Sequence, residues 1–390
     1  MKNYLFTFCL IFTNIIVSQN YIFDSNTKKP INAVHIYYNQ NKGLVTNNDG
    51  YFELPNNVFI DSLHFSHLSY ESKIIKVSDF KKNDTLFFDN STIELNEIVF
   101  NTINAKEIVT KAINMIDENY LNAPHNLFGF FRQSLKENEK GIEMIEVEFI
   151  NYTENKNVST KIIKARRTEN FSKWGLETYG GVFDMVENGD FVRRKAFFLD
   201  SEKTNNYQFI YEGKIKQGDL KIFKISFHPI DDNDLESLRK GTLYIDSESY
   251  AIVEIEYTFD KVKLSKITTQ TDKNIPAKKP FYWLNDVKTV IKYKQLSNKK
   301  WGLFYLDSYN LIKGTYNGDI YNYNFSAKLI INNVKTLKAV KVKTNYNLSK
   351  DFNKAVKKYK KLKNWNDTYK FSLSSEEKQI LKDINDIANK

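Results

Sequence analysis

The sequence predicts a mainly β protein: a small N-terminal β-sandwich followed by a larger, curved antiparallel sheet with a few helices. Three observations carry that expectation. The chain has 29 Phe and 24 Tyr against 14 Gly and 6 Pro, and aromatic enrichment suits pleated, half-buried surfaces. In residues 252–259, Val253, Ile255, Tyr257 and Phe259 alternate with Glu254, Glu256 and Thr258, the period of a strand with one buried face. Between two strand-like runs stands Asn47-Asn48-Asp49-Gly50, a hairpin signal because glycine accepts the positive φ of a primed turn.

Taken in order, residues 1–18 join Lys2 to an apolar run from Leu5 to Val17. The run is short for a spanning helix and reads as a secretory signal peptide cut near Ser18. The single cysteine, Cys9, lies inside it. The expected mature chain therefore has no disulfide, thiolate nucleophile or cysteine-ligated metal. No later run reaches the ~18 uncharged apolar residues of a transmembrane helix. The expectation is a soluble exported protein, periplasmic or outer-membrane associated.

Residues 19–100 are short alternating runs: Val34, Ile36 and Tyr38, then Tyr51, Phe52 and Leu54 after the Asp-Gly turn, then runs at 60–65, 72–77, 84–88 and 97–100. They predict a small antiparallel sandwich. Lys29-Pro30-Ile31-Asn32-Ala33-Val34, Asn48-Asp49-Gly50-Tyr51-Phe52, the stretch from Leu63 to Tyr70 and Leu95-Asn96-Glu97-Ile98-Val99 resemble the carboxypeptidase regulatory-like domain. That resemblance implies a transthyretin-like sandwich without peptidase activity. It also implies the company of outer-membrane complexes, since the domain is common in exported Bacteroidetes proteins, including at the N-termini of TonB-dependent receptors.

Residues 101–350 form the second unit. Asn104 can cap a helix with Glu107 three residues on, and Ala105, Ile108, Val109, Ala112, Ile113 and Ile116 recur at helical spacing, predicting one amphipathic helix to about Asn119. Strands then continue to about Tyr346, interrupted by a long loop over residues 166–187 and a short helix over 234–240 capped by Asp234. The hairpin of residues 241–260 resembles that of outer-membrane lipoprotein-sorting proteins. This implies a half-open barrel and a lipid-like ligand. Residues 351–390 read as a basic helix followed by a docking helix with a Ser374-x-x-Glu377 capping box and a stripe of Ile380, Leu381, Ile384 and Ile387.

Catalytic chemistry is hard to place on this chain. The five histidines, His35, His64, His67, His125 and His228, form no His-Glu-x-x-His pattern and read as structural. His64 and His67 fall on opposite faces of a strand. No nucleophile elbow, phosphate-cradling loop or dinucleotide fingerprint occurs. Glu146 and Glu148 read as the solvated face of a strand, and Asp231, Asp232, Asp234 and Glu236 as a solvated loop rather than a calcium site. The net charge of +10 is spread along the chain without an arginine stripe, favouring solubility over nucleic-acid binding.

Aromatic and basic residues leave one candidate surface. Val253, Ile255, Tyr257 and Phe259, with Trp174, Arg166 and Arg193, are the expected ligand-binding residues. The expected function is a non-enzymatic envelope protein that binds a partner or an apolar ligand, with no cofactor and no metal. A periplasmic hydrolase whose carboxylates meet only in three dimensions, or an accessory subunit of outer-membrane uptake or assembly, are the alternatives.

Overall fold

The computed structural model describes residues 20–39, 42–54, 60–79, 84–91, 93–94, 104–155, 157–169, 181–231, 234, 236–272, 281–345, 352–357 and 371–388. The expected signal peptide lies outside them. Residues 20–88 build two small sheets from β1 (Asn20–Asp24), β2 (His35–Asn39), β3 (Lys42–Val45), β4 (Tyr51–Phe52), β5 (Ser62–His67), β6 (Tyr70–Lys76) and β7 (Thr85–Phe88). Their orders are β4-β1-β7 and β3-β2-β5-β6. Ile22, Val34, Ile36, Phe52, Leu63, Phe65 and Phe88 fill the space between them.

The Asn-Asp-Gly motif makes a turn but not the expected hairpin, because β3 and β4 on either side of it pair into different sheets. Asn47 Oδ1 accepts from the amides of Asp49 at 2.9 Å and Tyr51 at 3.0 Å, and Gly50 takes φ 72°. A Cβ on Gly50 would lie 2.3 Å from the Ile22 carbonyl oxygen, so glycine is needed twice over. The sandwich is not wholly antiparallel as expected. β1 and β7 pair in parallel, because the chain visits the second sheet between them.

A short β8 (Ile93–Glu94) leads on to α1 (Ala105–Asn114) and α2 (Ile116–Asn119). Asn104 caps α1 as predicted, accepting from Lys106 N and Glu107 N and donating to Glu107 at 2.7 Å. The single helix expected to Asn119 is broken at Met115.

Ten long strands then form one open sheet: β9 (His125–Glu137), β10 (Lys140–Glu154), β11 (Asn157–Glu169), β12 (Tyr207–Gln217), β13 (Leu220–Pro229), β14 (Arg239–Asp246), β15 (Ile252–Phe259), β16 (Phe281–Gln295), β17 (Trp301–Tyr316) and β18 (Asp319–Lys335). β8 adds an eleventh at one edge, in the order β11-β10-β9-β18-β17-β16-β15-β14-β13-β12-β8. β14 and β15 are the predicted hairpin, and Asp246 Oδ2 closes its turn by accepting from Ser249 N at 2.9 Å. The outer edge, β11, is covered by side chains. Thr344 accepts from Thr160 N, and Asn345 exchanges two hydrogen bonds of 2.9 Å with the Ile162 backbone, which blunts an open edge.

Strand register lines up one apolar row across the sheet: Ile225, Leu243, Ile255, Ile291, Leu306, Leu329, Phe131, Val147 and Ala165. All nine are buried. They form the main core with α1, α3 (Val182–Glu187), α4 (Phe191–Arg194), Phe198 and Phe352 of α6 (Phe352–Lys357).

Residues 166–187 are therefore not one long loop. Arg166 and Arg167 extend β11, Val182–Glu187 is helical, and residues 170–180 lie outside the described residues. Alternation in β11 continues past Arg166, and the arginines hide it because their partners are carboxylates on the neighbouring strand.

Two further elements differ from expectation. Asp234 accepts from Glu236 N and Ser237 N as a cap would, but the described residues 236–238 are not helical and β14 begins at Arg239. Lys263 of an unforeseen α5 (Lys261–Asp272) explains this. Its ammonium binds the carbonyls of Asp231, Asp234 and Ser237 at 2.5, 2.9 and 3.0 Å. A side-chain cation thus closes the acidic loop. Near the C-terminus, α7 (Ser375–Ala388) starts on the predicted box, with Glu377 N donating to Ser374 Oγ at 3.2 Å and Ser374 N to Glu377 Oε2 at 2.8 Å. Among the described residues no helix is long and apolar enough to cross a membrane.

Candidate functional site: a cavity between sandwich and sheet

Successive strand residues face opposite ways, so the neighbours of the apolar row point to the second face of the sheet. They are charged. Asp307, Lys328, Arg132, Glu146 and Arg166 follow one another across β17, β18, β9, β10 and β11. Arg132 holds Glu146 at 2.8 Å and Glu377 of α7 at 3.1 Å, with all three side chains under 10% exposed. Arg166 also pairs with Glu146. Burial pushes the Glu146 carboxyl upward, but Arg132 and Arg166 outweigh it and hold the group below its ordinary range.

Glu146 and Glu148 are thus not on a solvated face. Glu146 is 1% and Glu148 9% exposed. The alternation is real, but α7 and Phe371 cover that face, and nothing local to β10 announces it.

The sandwich covers the adjoining part of the same face. His35 packs on Phe304 with ring centres 4.4 Å apart, Lys292 Nζ donates to the Ala33 carbonyl at 3.4 Å, and Lys328 Nζ to Asn48 Oδ1 at 2.7 Å. On the other side, Gln217 Nε2 donates to Ser66 Oγ at 2.9 Å. Between these contacts lies a cavity of about 220 Å³. The sandwich lines it with His35, Tyr37, Ser66, His67 and Leu68, and the sheet with residues that include Val253, Glu254, Lys292, Lys294 and Trp301.

Electrostatics inside the cavity follow from enclosure. Glu254 and Lys292, facing one another across β15 and β16, form an ion pair at 3.4 Å. Burial lifts the Glu254 carboxyl to about 7 against the pull of Lys292. Burial, then Lys292, pushes His35 and His67 well below the ordinary histidine range, so both imidazoles are neutral. Burial also lowers Lys294, to about 8. Its ammonium lies 4.2 Å from the centre of the Tyr37 ring.

Of the seven residues that the sequence singles out for ligand binding, Val253 lines the cavity. Ile255 is sealed in the apolar row. Tyr257 stacks on Phe191 at 5.2 Å, and Tyr257 and Phe259 stand 5.5 and 5.1 Å from the Arg239 guanidinium, so the chain's own cation sits among these rings. Arg166 pairs with Glu146 on the second face. Arg193 donates to the Glu187 carboxylate at 2.9 Å. Trp174 lies outside the described residues. Sequence reasoning does not single out Lys294, Trp301 and His35, which line the cavity. The one signal is lysine at the even positions 288, 292 and 294 of a strand, which reads equally as a solvated face.

Residues 21–100 match the family model of the CarboxypepD_reg-like domain, so the sandwich is the expected regulatory-like module. No curated protein matches the chain. Among solved structures, an outer-membrane lipoprotein-sorting protein domain from Vibrio parahaemolyticus is similar at 14% identity and a TM-score of 0.28, over 65% of this chain and 99% of that one. A DUF1329 family protein from Desulfovibrio piger is similar at 8% identity and 0.26, over 62% and 96%. A LolA superfamily protein from Nitrosomonas europaea is similar at 9% and 0.23, over 62% and 99%. Scores this low carry no ligand across.

Proposed function

We propose that this chain is an exported, non-catalytic binding protein of the cell envelope whose ligand occupies the cavity between sandwich and sheet. The observation that supports this is the cavity's construction. Sandwich and sheet, otherwise in contact, leave about 220 Å³ between them, and ligand sites concentrate at junctions of this kind. Export rests on Lys2 and the apolar run to Val17, and on the regulatory-like module that follows.

The carboxylates favour binding over hydrolysis. Glu146, Glu254, Asp307 and Glu377 are each within 4.0 Å of an Arg or Lys nitrogen, which suits structure better than proton transfer. An apolar ligand against Ile255 would have to displace the chain's own helices, whereas the cavity is already open between sandwich and sheet. The test is native mass spectrometry of protein purified from the envelope of its own host, beside a Leu220→Trp variant that fills the cavity. A small molecule bound to the natural protein and absent from the variant is the expected result. A bare chain mass for both would contradict the proposal.

A further inference from the structure

Three residues lining the cavity carry a buried nitrogen with no hydrogen-bond partner among the described residues: Lys294 Nζ, Trp301 Nε1 and His35 Nε2. His35 and Trp301 are 7% and 3% exposed. Native proteins leave few buried polar atoms unpaired, and each such group loses its hydration without a protein bond in return. All three belong to residues of one cavity wall, but each nitrogen is closed to a water-sized atom as the side chains stand, so one shared ligand would engage them by turning these side chains toward the cavity.

The indole N–H only donates and the ammonium only donates. His35 Nδ1 lies 2.7 Å from the Tyr37 hydroxyl. With that hydroxyl donating to Nδ1, the neutral imidazole carries its proton on Nε2 and becomes a third donor. Their common partner is therefore an acceptor.

Charge narrows it further. Lys292 has the Glu254 carboxyl at 3.4 Å, half ionised near pH 7, whereas Lys294 has no carboxylate partner at all among the described residues. One uncompensated cation matches one negative charge. Leu68, Leu220 and Val253 complete the wall and offer an apolar surface. The volume equals that of about seven waters at ~30 Å³ each, enough for a few carbon atoms beyond the charged group.

We infer that the cavity binds a small monoanion, a carboxylate with a short apolar tail, with its oxygens on Lys294, Trp301 and His35 and its tail toward Leu68, Leu220 and Val253. This deepens the proposed function and rests on the same cavity. The charged head replaces the hydration the three donors lost, and charge-assisted bonds of this kind are the strong ones.

The experiment titrates the purified full chain with sodium butyrate, butylammonium chloride and sodium phosphate. The readout is the indole N–H resonance of Trp301, assigned by its loss in Trp301→Phe. Butyrate is expected to shift that resonance and butylammonium to leave it in place. Lys294→Met should weaken butyrate binding by about tenfold or more, one charge-assisted hydrogen bond, while Lys294→Arg, which keeps the cation, retains binding. Equal response to butylammonium, response to phosphate alone, or wild-type butyrate affinity in Lys294→Met would overturn the inference. A neutral or cationic molecule found in the cavity by native mass spectrometry would sink the anion and spare the binding role. No occupant of any kind, natural or added, would sink both.

Discussion

The ammonium of Lys294, on the sheet, lies 4.2 Å from the centre of the Tyr37 ring, on the sandwich. That contact joins sandwich and sheet at the wall of the cavity. Ring attraction supplies ~0.5–2 kcal/mol, yet enclosure moves the lysine from 10.5 to about 8. At 1.36 kcal/mol per pH unit that is on the order of 3 kcal/mol against the charged form, so burial wins.

Lys294→Met should therefore raise the thermal midpoint of the ligand-free protein while weakening anion binding, a trade of function against stability. Differential scanning calorimetry of both proteins checks it. A lowered midpoint would mean that the ammonium is a structural strut between sandwich and sheet.

Glu254 and Lys294 give stability a distinctive pH course. Glu254 has a folded value of about 7 against an ordinary 4.5, so between these the folded state binds the extra proton and stability falls as pH rises. Lys294 has a folded value of about 8 against 10.5, so the unfolded state binds the extra proton above pH 8 and stability recovers. The two groups together place a trough between pH about 7 and about 8. Urea titrations across pH should show Glu254→Gln losing the acid-side slope and Lys294→Met the alkaline-side slope. Parallel curves for wild type and both variants would contradict this.

Arg132→Met leaves Glu146 and Glu377 buried beside one missing cation. Breaking a buried pair from one side typically costs 3–5 kcal/mol, and about that loss is expected here. Because Glu377 belongs to α7, amide exchange in residues 375–388 should quicken more than exchange in the apolar row. Uniform quickening would show that α7 is not held through this arginine.

Gly141 governs the same helix by a different route. A Cβ there would lie 2.5 Å from Ile380 Cα, and Gly141 N donates to Asp383 Oδ2 at 2.9 Å. Gly141→Ala should destabilise by about 1–3 kcal/mol, as overpacking does. Its effect should add to that of Arg132→Met by less than the sum, since both act by loosening α7. Denaturant midpoints of the two single variants and the double variant decide it; strict additivity would separate Gly141 from the Arg132 network.

Local chemistry makes much of this fold legible. The Asn104 cap, the Ser374 and Glu377 box and the hairpin through Asp246 each depend on residues within four positions of one another, and each forms as predicted; the turn at Gly50 also forms, but its flanking strands join different sheets instead of a hairpin. What sequence does not carry is which faces meet. Alternation puts Glu146 and Glu148 on one side of a strand, but only tertiary packing buries them and brings α7, through Glu377 and Arg132, to Glu146. Likewise His35 looks like any strand histidine until Phe304, distant in sequence, lies against it. The aromatic set around Tyr257 is visible in the sequence, whereas its occupant, Arg239, follows from the pairing of β14 with β15.

The measurement that tests the central claim most directly is a crystal structure of the protein taken from its own envelope, at a resolution that separates ligand from water. Binding in the cavity predicts one continuous feature between sandwich and sheet, with its polar end about 3 Å from Lys294 Nζ and Trp301 Nε1. Discrete waters bridging those two nitrogens, and nothing else in the cavity, would contradict it.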